Sequence, residues 1–210
     1  MTTRRSPEQI PDRRAAAAMR LWEWLQGGST GGIDMIGLDL SGADLSGGIF
    51  QESWFTDARL VGTKLINADL YRSDAEGADF SGADLTRASL VRVNLDDAVF
   101  RGAVLDGADL VKASLYGVDA SAASLRETRL MGASLIDVDF SGSDLSQAIV
   151  RENTFKVTVD EKTDFTGMSG TLFGPVQLIG REGRQEISGV DLERWLRERG
   201  GDVRVLESRG

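Results

Sequence analysis

From Leu40 to Phe155 the chain places an apolar residue at every fifth position. In the stretch GADFSGADLTRASLVRVNLDDAVF, residues 77–100, the large positions are Phe80, Leu85, Leu90, Leu95 and Phe100. A small residue stands two places before each: Ala78, Ala83, Ala88, Val93 and Ala98. The phase runs without a slip through twenty-four consecutive pentads, is lost at Asp160 and returns at Phe165. Helices repeat about every 3.6 residues and strands about every 2, so this pattern is neither. A short period held over most of a chain predicts a stacked solenoid. Neighbouring coils then bury each other's large and small side chains in ladders and pair their backbones. Ala75 and Ala120 fall on the large phase, and bulky neighbours are expected to fill the space they leave.

An open coil exposes unpaired strand edges, so both ends need caps. Asp12 after Pro11 reads as a helix N-cap and Gly27-Gly28 as a stop. Between them Ala15, Ala18, Met19, Trp22 and Leu25 share one helical face, the face expected to shield the first coil. Beyond the repeats, Gly174-Pro175 introduces VQLIG, a predicted strand. Ser188 and Asp191 form a capping-box-like start to a helix with Val190, Leu192, Trp195 and Leu196 on its apolar side. Gly200-Gly201 ends that helix, and Val203 to Leu206 reads as a last strand. The expected organisation is a tail and capping helix over 1–32, a repeat domain of about six to seven coils over 33–168, and a strand–helix–strand cap over 169–210.

Composition narrows the chemistry. The 210 residues contain no Cys and no His, which removes disulfides, thiolate nucleophiles, Cys/His zinc sites and His-based triads. Glycine-rich phosphate-binding patterns are absent, and the many glycines suit the corners of a coil. No catalytic residue, cofactor or metal is expected, and the chain reads as a non-enzyme. No export signal is apparent, because Arg20 and Glu23 interrupt the apolar stretch near the start. A cytoplasmic location without membrane contact is therefore expected. The net charge of −9 is uneven. Residues 1–30 hold five Arg against three acids, residues 171–210 hold seven of each sign, and residues 31–170 hold twelve bases against twenty-three acids. The acidic excess thus lies in the repeats, which argues against a grip on nucleic-acid phosphates and leaves open a basic partner surface.

The stretches GADLS, NADLY, GADFS, GADLT, RASLV, GADLV and GASLI resemble the A-(D/N)-L-x-x motif of the pentapeptide-repeat family. The resemblance implies an all-β solenoid, a right-handed quadrilateral β-helix with four pentads per coil and one pentad on each face. Twenty-four pentads would then form six coils, a core roughly 29 Å long at about 4.8 Å per coil. With an N-terminal helix and a small C-terminal α+β cap, this is the expected fold. The family sometimes dimerises through its C-terminal end, so a monomer and a homodimer through the C-terminal cap both stay open.

Four pentads per coil put residues twenty apart in vertical columns, and two columns stand out. On one face the outward residues after the centres are Gln51, Tyr71, Val91, Val111, Met131 and Arg151, an apolar stripe flanked by Arg72, Arg92 and Lys112. Tyr116 and Ile136 extend it around the corner. Such a stripe marks an interaction surface unless the protein's own termini fold over it. The second feature is acidic: Asp39, Asp79, Asp119 and Asp139 share one column, and Asp44, Asp84 and Asp144 share the next. An acidic rod can imitate DNA, and the resemblance implies members of that kind that bind type II topoisomerases. Two functions follow. The chain is a non-catalytic module that binds a protein partner through the stripe, as scaffold, regulator or immunity factor. Alternatively it is a DNA mimic that binds gyrase, inhibiting it or protecting it from a poison.

Overall fold

A computed structural model describes residues 12–26 and 31–206. The expected stop at Gly27-Gly28 and the tail up to Pro11 lie outside the described residues. The core is a right-handed four-sided β-helix. Its ladders join residues twenty apart in parallel, from Asp34↔Trp54 at one end to Asp144↔Asp164 at the other.

Each pentad builds one side and one corner. The N–H of a central residue donates to the carbonyl nineteen residues on, as Leu40 does to Arg59 at 2.7 Å. The corner closes when the N–H three places after the centre donates back to the central carbonyl, as Ala58 does to Phe55 at 2.8 Å. The residue two places after the centre has a positive φ, as a type II turn requires. Glycine often supplies it, but Asp57, Arg72, Arg92 and Lys112 adopt φ of 55–60° at the same place. The sheltered pairing of the ladder holds them there.

The large and small phases both point inward. Leu60, Phe80, Phe100 and Phe140 are buried, as are Ala78, Ala98 and Val118 between them. The first coil begins one pentad before the sequence pattern, with Ile33 and Met35 buried in the same roles. Ala75 and Ala120 are also buried. Phe55 precedes Ala75 in its column, while Phe100 and Phe140 flank Ala120. Inward polar residues are bonded: the Ser73 hydroxyl donates to the Phe50 carbonyl, and the Asn153 amide donates to the Leu130 and Ala133 carbonyls.

The phase loss at Asp160 has a local cause. Strands β1 (Ser134–Asp139) and β2 (Ile149–Asp160) pair with a register shift between Ile136 and Val138, so Val138 meets Val157 instead of residue 158. The corner is pulled straight, Val157 and Val159 fill the interior, and the phase is restored at Thr163 and Phe165.

The caps correct several expectations. Helix α1 (Arg13–Gln26) starts where Asp12 caps it, accepting from the N–H groups of Arg14 and Ala15 at 3.0 and 3.3 Å. Its inward face is not the predicted one. Ala17 is buried, Leu21 and Trp24 are half-buried, and Trp24 stacks on Phe50. Met19, Trp22 and Leu25 point away and are 62%, 62% and 61% exposed. Polar ties set this rotation: Arg20 binds the Asp34 carbonyl and carboxylate, and Arg14 binds the Ser41 carbonyl.

At the other end, β3 (Ser169–Phe173), β4 (Val176–Gly180), β5 (Gly183–Ile187), α2 (Gly189–Glu198) and β6 (Asp202–Val205) follow. β3 and β5 were absent from the sequence reading. β3 and β4 both continue the ladder on β2, β6 pairs with β3, and β5 returns as a hairpin on β4. α2 closes the coil with Leu192 and Leu196, and Trp195 packs edge-on against Phe165. Ser188 is the N-cap residue, but its side chain makes no capping bond, and Val190 faces solvent.

Candidate functional site

The stripe forms as a column but is less exposed than its residue types suggest. Tyr71, Val91, Val111, Met131 and Ile136 are half-buried, whereas Tyr116 is about half exposed. Stacking of each side chain on those in the coils above and below shields its flanks. The stripe carbonyls serve the ladder: those of Tyr71, Val91, Val111 and Met131 accept from Glu52, Arg72, Arg92 and Lys112 at 2.9–3.1 Å. Those N–H groups belong to the left-handed corner residues, so the same corner that fixes the stripe projects the flanking bases. Arg72 lies 3.9 Å from Glu52 and stacks over Tyr71. Arg92 and Lys112 are exposed and form no ion pair among the described residues. The contacts of α1 are with the first coils, and those of the C-terminal elements are with residues from 134 onward. Among the described residues neither cap bonds to the column from Tyr71 to Met131.

The acidic columns also form, with a local job for each carboxylate. In every one of Asp39, Asp44, Asp79, Asp84, Asp119, Asp139 and Asp144, Oδ1 accepts the N–H two residues on, at 2.8–3.2 Å. That N–H opens the corner and points away from the ladder, so the aspartate satisfies it. At two of the places where serine replaces aspartate the carboxylate comes from the coil before: Asp96 accepts from the Tyr116 N–H and the Ser114 hydroxyl, and Asp106 from the Arg126 N–H and the Ser124 hydroxyl. The columns are interrupted by Arg59 and Val99 in the first and by Lys64, Val104 and Ser124 in the second. They are partly neutralised as well, Asp119 by Arg101 at 2.6 Å and Asp144 by Arg126 at 4.0 Å. Among the described residues no cluster of acids has the form of a metal site.

These bonds set the acid stability. Burial pushes the Asp106 carboxyl up, but the Arg126 guanidinium, the Ser124 hydroxyl and the Arg126 N–H together hold it below the ordinary value. Burial likewise raises Asp119, and the Ser121 hydroxyl and N–H with Arg101 outweigh it. Asp160 is lowered in the same manner by the Gly142 and Lys162 N–H groups and by Thr163, against its burial. A carboxyl depressed in the fold binds fewer protons there than in the unfolded chain, so its stabilisation is complete above about pH 4 and drains away as pH falls through the folded value. Urea midpoints should therefore hold steady from about pH 7 to 5 and drop below about pH 4. A midpoint unchanged down to about pH 3 would contradict these bonds.

Among the described residues most of the large exposed apolar side chains lie away from the stripe, to which only Tyr116 contributes one. Of the nine large exposed apolar residues among those described, six sit on α1 or in the first coils: Met19, Trp22, Leu25, Ile36, Ile49 and Trp54. The sequence carried a signal for two of them. Ile49 and Trp54 stand directly before a centre, where aspartate is the usual residue.

Comparison with known proteins follows the same pattern. Among curated proteins none matches the chain. The solved structure of HetL, a pentapeptide repeat protein involved in heterocyst differentiation regulation in the cyanobacterium Nostoc, is 22% identical. It matches 73% of this chain and 82% of its own, with a TM-score of 0.45. Full-length QnrB1, a plasmid-mediated fluoroquinolone resistance protein, is 23% identical over 80% of this chain and 78% of its own, with a TM-score of 0.35. Rfr23 from the cyanobacterium Cyanothece is 23% identical over 70% of this chain and 97% of its own, with a TM-score of 0.29. The family model for pentapeptide repeats (8 copies) matches residues 31–62, 55–90, 78–115 and 113–151, more than half of the sequence and the same segment that forms the four-sided ladder. The chain belongs to the pentapeptide repeat family.

Proposed function

We propose that this protein is a non-catalytic binding module that presents the side of its β-helix to a protein partner. The observation that carries this reading is the Tyr71–Val91–Val111–Met131 column, with Arg92 and Lys112, which form no ion pair among the described residues, beside it on a rod that is otherwise acidic. A rigid ladder loses little freedom when it associates. Half-buried apolar rungs supply area while the exposed bases select an acidic rim. Affinity capture with the wild type and with a Val91→Glu, Val111→Glu variant tests it, with Asp84→Lys, Asp144→Lys as a control on another face. A partner lost with the first variant and retained with the second is expected. Because neither cap among the described residues bonds to the column, the first variant is expected to melt within a few degrees of the wild type. Capture unaffected by the stripe variant would remove the stripe as the site.

A second reading rests on the acidic columns, in which the rod occupies the DNA-binding surface of a type II topoisomerase. Each of their aspartates bonds its corner through Oδ1 alone, which leaves Oδ2 outside the corner bond, so the structural duty does not forbid mimicry. Titration into a gyrase supercoiling reaction, with and without a fluoroquinolone, tests it. Inhibition or protection that weakens with rising salt and is lost in Asp79→Lys, Asp119→Lys, Asp139→Lys is the expected signature. No effect at a large excess would dismiss it.

A further inference from the structure

The N-terminal end of the rod is half ridge and half cleft. The ridge is α1, held by its inner face and by Arg14 and Arg20, with Met19, Trp22 and Leu25 turned outward. The helix covers only part of the first coil. Over the face of Leu40 it closes the edge, the Arg13 carbonyl accepting from the Asp39 N–H at 3.4 Å. Over the next two faces the equivalent N–H groups, of Asp44 and Ile49, have no bond among the described residues. There a cleft of about 720 Å³ opens between the helix and the coil. Leu21, Trp24, Leu25, Leu45, Ile49 and Phe50 form its apolar lining, and Asp44 and Glu52 lie at its polar edge.

We propose that this end is an interface between two copies of this chain, related by a two-fold axis, with the outer face of each α1 seated against the cleft of the other. Ridge and cleft lie side by side on one surface, so a single two-fold rotation brings each onto its counterpart, as an isologous interface needs. The helix face suits antiparallel contact: small Ala15 and Ala18 in its first half meet large Trp22 and Leu25 in the second half of its mate. The charges agree as well. The exposed Arg13 begins the ridge, while the cleft edge carries Asp44 and Glu52. A helix of 14 residues, about 21 Å long, is small against the roughly 800 Å² per partner of a standard interface, so ridge and cleft have to be used together. Joining at this end also points the two acidic repeat domains away from each other, whereas side-by-side packing would oppose their carboxylates. An anionic lipid surface is a poorer occupant, because the acids at the cleft edge would face it.

The absence of cysteine makes the test clean. The full-length wild type should run in light scattering at twice its 22.7 kDa chain mass. Met19→Cys, near the middle of α1 and so close to the axis, should form a covalent dimer on mild oxidation, while Val190→Cys at the opposite end should not. Met19→Glu with Trp22→Glu should weaken self-association at least tenfold. It should leave helicity and melting temperature nearly unchanged, since neither side chain packs on its own coil. A monomeric wild type at about 100 µM, a dimer that survives the double substitution, cross-linking through Val190 in place of Met19, or flotation of the monomer with phosphatidylglycerol vesicles would each overturn the proposal.

Discussion

Replacing Phe100 by alanine is expected to remove about 3–5 kcal/mol of stability, the largest loss from any single truncation in the ladder. Phe100 is buried, and its ring stacks on Phe80 with centroids 4.7 Å apart and planes 3° from parallel. The next coil on the same face offers only Ala120, which depends on Phe100 and Phe140 to fill its space. The cavity therefore has no long side chain above it to collapse inward, and a site that cannot relax sits at the high end of the range. Stability in a solenoid is close to a sum of coil and nearest-neighbour terms, so a gap at mid-rod uncouples its two halves. Urea unfolding should show a lower midpoint and a broader transition than in Phe100→Leu. A loss under about 1 kcal/mol would mean that the column is not packed as described.

Gly170→Ala is expected to be nearly as damaging, for a different reason. Gly170 lies where β3 pairs in parallel with β2, opposite Val150 and beside a register shift, with φ of +121°, and a Cβ there would stand 1.8 Å from the Val150 carbonyl oxygen. That oxygen belongs to backbone, so the strands have to separate. The strain of the dihedral alone is of the order of 1–3 kcal/mol, and the separation adds to it. The comparison is Gly82→Ala. Gly82 has φ of +63° and nothing within 4 Å of its would-be Cβ, and residues such as Arg87 and Arg92 hold the same dihedral elsewhere in the rod. It should lose only about 1 kcal/mol. Equal melting temperatures for the two variants would show that β3 does not approach β2 this closely.

The glycine pair illustrates how legible this fold is. A period of five with alternating small and large phases leaves one economical packing, because each side chain is buried by its equivalent in the next coil. The ladder, its inward residues and its corner glycines follow from that repetition. Non-periodic parts were harder. The slip near Asp160 is a register shift that lets Val157 and Val159 in, and the sequence shows only that the phase is lost. β5 has four exposed polar-side positions in five and no apolar alternation, so nothing but its hairpin with β4 identifies it. Ser188 has the right residue type for a cap, and the backbone there leaves its hydroxyl unused.

The surface divides in the same way. The four pentads per coil that the family resemblance implies fix which residues share a column, so the stripe and the acidic columns could be read in advance. How far neighbours shield a column depends on three-dimensional stacking, and Tyr71, Val91, Val111 and Met131 are half-buried for that reason. The aspartates looked like free charge, but each is bonded to a corner N–H that has no partner in the ladder.

By itself the sequence determined a stacked solenoid and its interior, because a local rule repeated every five residues needs no distant information; the four-sided coil was implied by the resemblance to pentapeptide repeats, and the ladders of residues twenty apart show it. Tertiary structure decided the orientation of α1. Its two faces are both apolar in part, Ala15–Ala18–Met19–Trp22–Leu25 and Ala17–Leu21–Trp24. Hydrophobicity alone favours the first, yet Arg14, Arg20 and Asp34 anchor the second to the coil. Those anchors lie on chain segments that only folding brings together, and they turn Met19, Trp22 and Leu25 outward at one end of the rod.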